Sequence, residues 1–439
     1  MRRLKGMRTR LLLAAVAAGL AGCATAPASA PAGGQASSSA AATARPATAP
    51  GSAAGGTTSP AAATGGTTSP SSSAGSSGAG CGAPPAAATA SDELAGIEFA
   101  SASRGWVVGR DAILATTDGG VHWRAQLAGR LDLTAVDFVN ARDGWAVGTG
   151  SLLATTDGGA RWTPLAEPCP LIRSVHFTSA TDGYAVAGGR VSTAGGYATG
   201  TPDTGGVVLV THDGGRTWAK AAAPANAQTV CFSGGEDGWL GANGQLYRTG
   251  NGGKSWTALT APSTADEAGY VATMSVQCAG PDAAWAVRAG PGGGMSQQPH
   301  VAYHADASGV TAVYAEQYYR LQGDPARNSP GAYAGPFSAL SPSAAVFIDS
   351  CAPCGAGTAP WAVASGSGAS LAERGNVGGV TVADAAAFLT PGTGWVTGTY
   401  LEYPAKGNSR YQERVMATSD GGKTWHTQWA SPWHHGTAQ

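Results

Sequence analysis

The feature that most limits the fold is an eight-residue segment that returns five times. It reads TTDGGVHW from Thr116 to Trp123, TTDGGARW from Thr155 to Trp162, THDGGRTW from Thr211 to Trp218, TGNGGKSW from Thr249 to Trp256 and TSDGGKTW from Thr418 to Trp425. Such self-similarity means stacked supersecondary units, none of which can bury its apolar face alone. Ahead of the copies runs a second pattern, clearest as Val136-Asp-Phe138 followed by Arg142-Asp143-Gly144-Trp145-Ala-Val-Gly148. Its period-two alternation broken by Asp-Gly predicts a β-hairpin. Leu152 and Leu153 then lead into the repeat, and a last strand begins at Trp162. Four strands per unit is the blade of a propeller.

The Gly-Trp position counts the blades. It is filled by Trp106, Trp145, Tyr184, Trp239, Trp285, Trp361 and Trp395, which predicts an all-β, seven-bladed β-propeller of four-stranded antiparallel blades. Blades five and six have lost the repeat, and His304 to Gly309 and Glu373 to Gly378 read as its eroded remnants. In the intact copies the side chain of Asp118, Asp157, Asp213, Asn251 or Asp420 is suited to accept backbone N–H groups in an Asx-type turn. The glycines that follow allow positive φ. These are structural residues, not catalytic ones.

The octapeptides resemble the Asp-box, or BNR, repeat of β-propellers. Together with the Gly-Trp-x-Val-Gly alternation, they make the chain similar to the photosystem II stability/assembly factor-like family from about Asp92 to the C-terminus, fading across Tyr314 to Gly379. The resemblance implies a propeller that binds proteins rather than an enzyme, with boxes that are structural and lie away from any active centre.

The N-terminus reads as an export signal. Arg2, Arg3, Lys5, Arg8 and Arg10 precede an apolar run from Leu11 to Leu20, and Leu20-Ala21-Gly22-Cys23 resembles a bacterial lipobox. The run is too short for a permanent bilayer span. The expectation is a lipoprotein signal peptide over 1–22, lipidation of Cys23, and attachment to the outer face of the cell membrane. Residues 24–91 are almost wholly Ala, Gly, Ser, Thr and Pro, with Arg45 as the only charged residue before Asp92. Such a segment has too little apolar surface to offset ordering entropy, so 23–91 is predicted to be a lipid-anchored, disordered linker and 92–439 the propeller. As a flexible coil the linker would hold the propeller roughly 45 Å from the anchor. Removing the five basic leader residues takes the formal net charge from −1 to −6, which argues against a nucleic-acid partner.

Beyond Cys23 six cysteines remain, an even number that suggests disulfides in an exported chain. Cys351-Ala-Pro-Cys354 has the spacing of a redox pair or half a metal site, but no second such motif accompanies it. A structural bridge or loop staple is favoured.

Antiparallel strand order decides which loops share a face. The boxes follow third strands and share a face with the Asp-Gly turns. The opposite face takes the insertions: Gly188 to Gly206, Ala289 to Pro299, Thr399 to Glu413, and Tyr314 to Leu340. These carry a candidate binding face of Tyr197, Tyr318, Tyr319, Arg320, Tyr400, Tyr403, Tyr411 and Arg414. Tyrosine-rich loops on a rigid scaffold suit recognition, although aromatic residues also pin long loops to blades. Sialidases with BNR repeats use an early Arg-Ile-Pro motif that this chain lacks. Asp349, Asp384, Glu316 and Glu402 are available for two-carboxylate glycoside hydrolysis, but nothing in the sequence pairs them. No cofactor or metal is expected. The leading expectation is a monomeric, non-catalytic scaffold that binds a protein or cell-envelope component; the alternative is a cell-surface glycan-binding protein or glycoside hydrolase.

Overall fold

The computed structural model describes residues 94–188, 205–262, 272–290, 298–316, 327–350, 359–403 and 409–435. They form seven antiparallel sheets, each built from consecutive strands, and the described residues contain no helix. The protein is a seven-bladed β-propeller. Blade one runs through Leu94–Phe99, Gly105–Gly109, Ala112–Thr116 and Arg124–Ala128, and blade two through Leu133–Phe138, Gly144–Gly148, Ser151–Thr155 and Thr163–Pro164. Blade three uses Ile172–Phe177, Gly183–Ala187, Val207–Thr211 and Ala219–Lys220, and blade four Ala227–Phe232, Asp237–Ala242, Gln245–Gly250 and Thr257–Leu259.

Blade five comprises Thr273–Cys278, Ala284–Ala289, His300–Asp306 and Gly309–Ala315, with Arg327–Asn328 added in parallel at its edge. Phe337–Ser341, Ala344–Ile348, Ala359–Ser365 and Ser370–Val377 make blade six; Val382–Thr390, Thr393–Glu402, Arg410–Thr418 and His426–Ala430 make blade seven. First strands pack on one another around the ring, and that of blade seven closes on that of blade one.

The core lies between blades, and aromatic stacks mark most of its seams. The second-strand residue of one blade stacks on the phenylalanine that ends the first strand of the next. Trp106 meets Phe138 at 3.5 Å between ring centres, Trp145 meets Phe177 at 3.4 Å, Tyr184 meets Phe232 at 3.6 Å, and Trp395 closes the ring on Phe99 at 3.5 Å. The box tryptophan of the second blade then meets that phenylalanine edge-on, as Trp162 does Phe138. Each phenylalanine lies opposite a glycine in the hairpin, Phe138 opposite Gly144 for example. A Cβ on Gly144 would come within 2.4 Å of the Phe138 ring, so the glycine is required by the ring that covers it.

The box turns dock on the first hairpin turn of their own blade, since the Gly119 N–H donates to the Ser103 carbonyl at 2.8 Å and the Gly158 N–H to Arg142 at 2.8 Å. Boxes and Asp-Gly turns therefore share a face. Inside a box the threonine is the hub. The Thr116 hydroxyl donates to the Asp118 carboxylate at 2.9 Å and accepts the Gly120 N–H at 2.8 Å, while that carboxylate accepts the His122 N–H at 2.9 Å. Thr155, Thr211, Thr249 and Thr418 repeat the arrangement with Asp157, Asp213, Asn251 and Asp420.

Blade six departs from the sequence expectation. Trp361 lies on the third strand, not the second, where Ala345 holds the tryptophan position. Phe347 belongs to the second strand. The strand-three turn is Gly366 to Ala369, and Glu373 to Val377 lies within the fourth strand, so that segment is not a box remnant. In blade five the remnant is at a box position: Asp306 closes the strand-three turn by accepting the Ser308 N–H at 2.7 Å.

Candidate functional site

Every insertion leaves and re-enters the propeller on the face away from the boxes. Tyr197, Tyr318, Tyr319, Arg320, Cys351, Cys354 and Cys23 lie outside the described residues. Tyr400, Tyr403, Tyr411 and Arg414 are brought together on blade seven. The segment Thr399 to Glu413 is mostly strand rather than loop: the second hairpin runs on until Glu402 faces Arg410. His434-His435 pairs with Arg410 and Tyr411 as a further short strand.

That hairpin builds a layered patch. The Arg414 guanidinium lies 3.8 Å from the centre of the Tyr400 ring, and Arg410 lies 4.2 Å from that of Trp433. Tyr411 stacks on His434 at 4.9 Å, and Arg410 pairs with Glu402 at 2.9 Å. Arg414 also donates to the Gln412 side chain at 3.0 Å and the Gly379 carbonyl at 3.2 Å. With its guanidinium so enclosed, desolvation outweighs Tyr400 and Glu402 and lowers its pKa. The arginines are thus rigid parts of the patch. Tyr403 at its edge is 63% exposed, with nothing stacked on it among the described residues.

A second cluster joins blades five and six on the same face. Tyr314 is the penultimate residue of the fourth strand of blade five and is fully buried, so the predicted insertion starts after it. Its hydroxyl donates to Asp349 at 3.2 Å. His300 Nε2 meets the other carboxylate oxygen at 3.2 Å, and Nδ1 meets the Gln298 carbonyl at 2.7 Å. Both ring nitrogens face acceptors, an arrangement that the doubly protonated imidazolium satisfies. Burial alone would lower its pKa, but Asp349, aided by Gln298 and the Glu316 charge, holds it above the ordinary value. Burial and Asp349 push the Tyr314 phenol well up. With His300 and Asp349 buried, the cluster is a closed ionic joint rather than an open catalytic pair. Histidine and aspartate stand 49 residues apart on different blades, so no spacing in the sequence links them.

Around the channel a third set occupies the box end of three first strands. Glu98 is pushed well up by burial and by Asp137, against the Phe138 N–H. His176 stays above its ordinary value despite burial, because Asp137 lies 3.7 Å away and the Phe232 carbonyl accepts its other nitrogen. Asp137 accepts the Phe177 N–H at 2.7 Å. These side chains tie one blade to the next. Among the described residues no three metal-ligating side chains converge.

One disulfide is seen among the described residues, Cys231 to Cys278 between blades four and five. Cys169 is buried and also disulfide-bonded.

The sequence matches the family model of the photosynthesis system II assembly factor YCF48 over residues 87–170 and 128–288. No curated protein matches the chain. Among solved structures it is similar to YCF48 bound to D1 peptide, with 19% identity, 68% of this chain and 81% of that chain covered, and a TM-score of 0.40. It is also similar to the GH74 enzyme of Niastella koreensis, with 12% identity, 76% and 66% coverage, and a TM-score of 0.48. YCF48 from Cyanidioschyzon merolae gives 15% identity, 78% and 86% coverage, and a TM-score of 0.36. These structural likenesses concern the fold alone. With its five intact boxes, seven blades and a family-model match that ends in blade five, the chain is a BNR-type β-propeller.

Proposed function

We propose that the chain is a non-catalytic scaffold for protein binding or envelope assembly, and that it takes its partner on the face away from the boxes. The observation that carries this reading is the blade-seven patch, where Tyr400, Tyr411, Trp433, Arg410 and Arg414 are locked by stacking and leave Tyr403 exposed. Aromatic and arginine side chains held in one rotamer lose little entropy on binding, which is why they dominate interface energetics. The match to an assembly-factor family supports the same reading. In this proposal the protein acts as a monomer at the outer face of the cell membrane, anchored through Cys23, with 24–91 as tether.

The test places a photo-crosslinking residue at position 403 or, as control, at the exposed Val121 within a box. In cells making the full chain, position 403 should form a discrete protease-sensitive adduct and position 121 none. An adduct at 403 that survives protease but is removed by glycosidases would instead support the glycan-binding alternative. Equal labelling from both positions would remove the proposed face.

A further inference from the structure

The His300–Asp349 joint lies where several chain segments enter or leave the loop face, and every polar group it uses is accounted for. Gln298, whose carbonyl accepts from His300, follows the insertion 291–297. Glu316 precedes 317–326, and its N–H donates to the His300 carbonyl at 2.9 Å. Asp349 and Ser350 precede 351–358. The segment 327–336, which links blades five and six, is held at the same point. The Gly331 N–H donates to Asp349 at 3.0 Å, Tyr333 and Ser350 exchange backbone hydrogen bonds at 3.0 and 2.9 Å, and Gln298 bonds Ala332 at 2.9 Å and Ala334 at 3.2 Å. Gly331 fits because a Cβ there would lie 2.7 Å from that of Asp349.

We propose that this ion pair is a proton-operated clasp: while His300 is protonated it holds 329–334 and the adjoining insertion roots in place, and its deprotonation releases them without opening the blades. The inference stands whatever the face binds.

The chemistry gives the sign. The groups facing His300 are Asp349 from blade six, Glu316 and Tyr314 from blade five, and the Gln298 carbonyl. All that carry charge are anionic, and the uncharged ones present an acceptor or a phenol whose proton is committed to Asp349. Removing a proton from His300 turns one of its two donors into a lone pair facing an acceptor, and leaves the Asp349 carboxylate buried without its counter-ion. Because the folded pKa is raised, the clasp is fully closed below the pKa of a free imidazole, about 6.5, and is lost as pH rises through the held value. The backbone ladders within each blade do not titrate there, nor does the bond from the Trp285 N–H to the Ser341 carbonyl that also joins blades five and six. Release is therefore confined to the loop face.

The test is hydrogen exchange of the full chain from pH 5.5 to 9, corrected for intrinsic exchange rates, read alongside the NMR titration of the His300 ring. Amides of Gly331, Tyr333 and Ala334 should lose protection about ten-fold for each pH unit between the free and held imidazole pKa. The loss should level off at the midpoint of the ring titration, with the Val107 and Val147 amides unchanged. In Asp349→Asn the same three amides should be weakly protected at every pH. Constant protection of the three amides across the range overturns the proposal, as does loss in step with the blade amides. If Asp349→Asn does not fold, the wild-type titration decides alone, and loss of partner binding with an intact clasp would count against the proposed face only.

Discussion

The ring is fastened in two different ways. Where the downstream blade carries a box, an aromatic seam joins it to its neighbour. Trp106, Trp145 and Trp395 also donate their indole N–H to a glycine carbonyl in the next box, at 3.4, 2.9 and 3.0 Å. Blades five and six have no box, and their seams use other chemistry. Cys278 stands where the phenylalanine should be, bonded to Cys231 of blade four. It lies opposite Ala284 instead of a glycine. Between blades five and six the Trp285 N–H reaches the Ser341 carbonyl at 2.9 Å, and the His300–Asp349 joint completes the seam. Losing the box and losing the phenylalanine–glycine pair go together, because ring, glycine and box turn form one packing unit. The replacement is covalent at one seam, and at the next an ionic joint is added to the edge-on contacts of Trp285 and Tyr314 with Phe347.

The comparison can be broken most severely at an aromatic seam. Trp106→Ala empties a fully buried site against Phe138 and should cost about 3–5 kcal/mol in chemical denaturation. A loss no larger than that of an exposed residue would mean the stacks do not fasten the ring. Cys231→Ala with Cys278→Ala should cost about 2–4 kcal/mol. Adding Ala284→Gly and placing phenylalanine at 278 should recover part of that loss, and failure to recover would show that the seam needs the box as well. Gly144→Ala, which drives a methyl into Phe138, should cost about 1–3 kcal/mol, whereas Gly129→Ala, with open space around it, probes only its positive φ.

Acid sharpens the contrast among the boxes themselves. The carboxylates of Asp118, Asp213 and Asp420 are held at about 2, chiefly by the His122 N–H, by the Thr217 hydroxyl and N–H, and by the Thr424 N–H respectively. Their contribution is present above the unfolded value of about 3.9 and is lost as pH falls through about 2. The N–H groups of His122, Thr217 and Thr424 should then exchange faster between pH 4 and 2, while Ser255 in the Asn251 box should not. The smallest effect belongs to Tyr403→Ala, which should change stability by less than about 0.5 kcal/mol.

Much of this frame is legible in the sequence. The octapeptides and the Gly-Trp pattern carry the fold class, the blade count and the sharing of a face by boxes and Asp-Gly turns, because each depends on contacts within some ten residues. A further signal lies in the spacing of the phenylalanines. Phe99, Phe138, Phe177, Phe232 and Phe388 each precede by six residues the glycine they cover, and the pattern fails in blades five and six. It would have warned against Trp361 as the marker of blade six. The His300–Asp349 joint could not be read this way, since its geometry is made by the docking of two blades. The blade-seven patch was half legible: its tyrosines were picked out from composition, but Trp433 and Arg410 join them only because the C-terminal strand folds back on the hairpin.

The central claim is that the box face is frame and the opposite face reads the partner. The most direct measurement is the affinity of the partner captured at position 403, compared between the full chain, a Tyr403→Ala and Tyr411→Ala double variant, and a Val121→Ala variant. The account predicts at least about ten-fold weaker binding for the tyrosine variant and an unchanged affinity for Val121→Ala. Equal affinities for all three, or a loss confined to Val121→Ala, would contradict it.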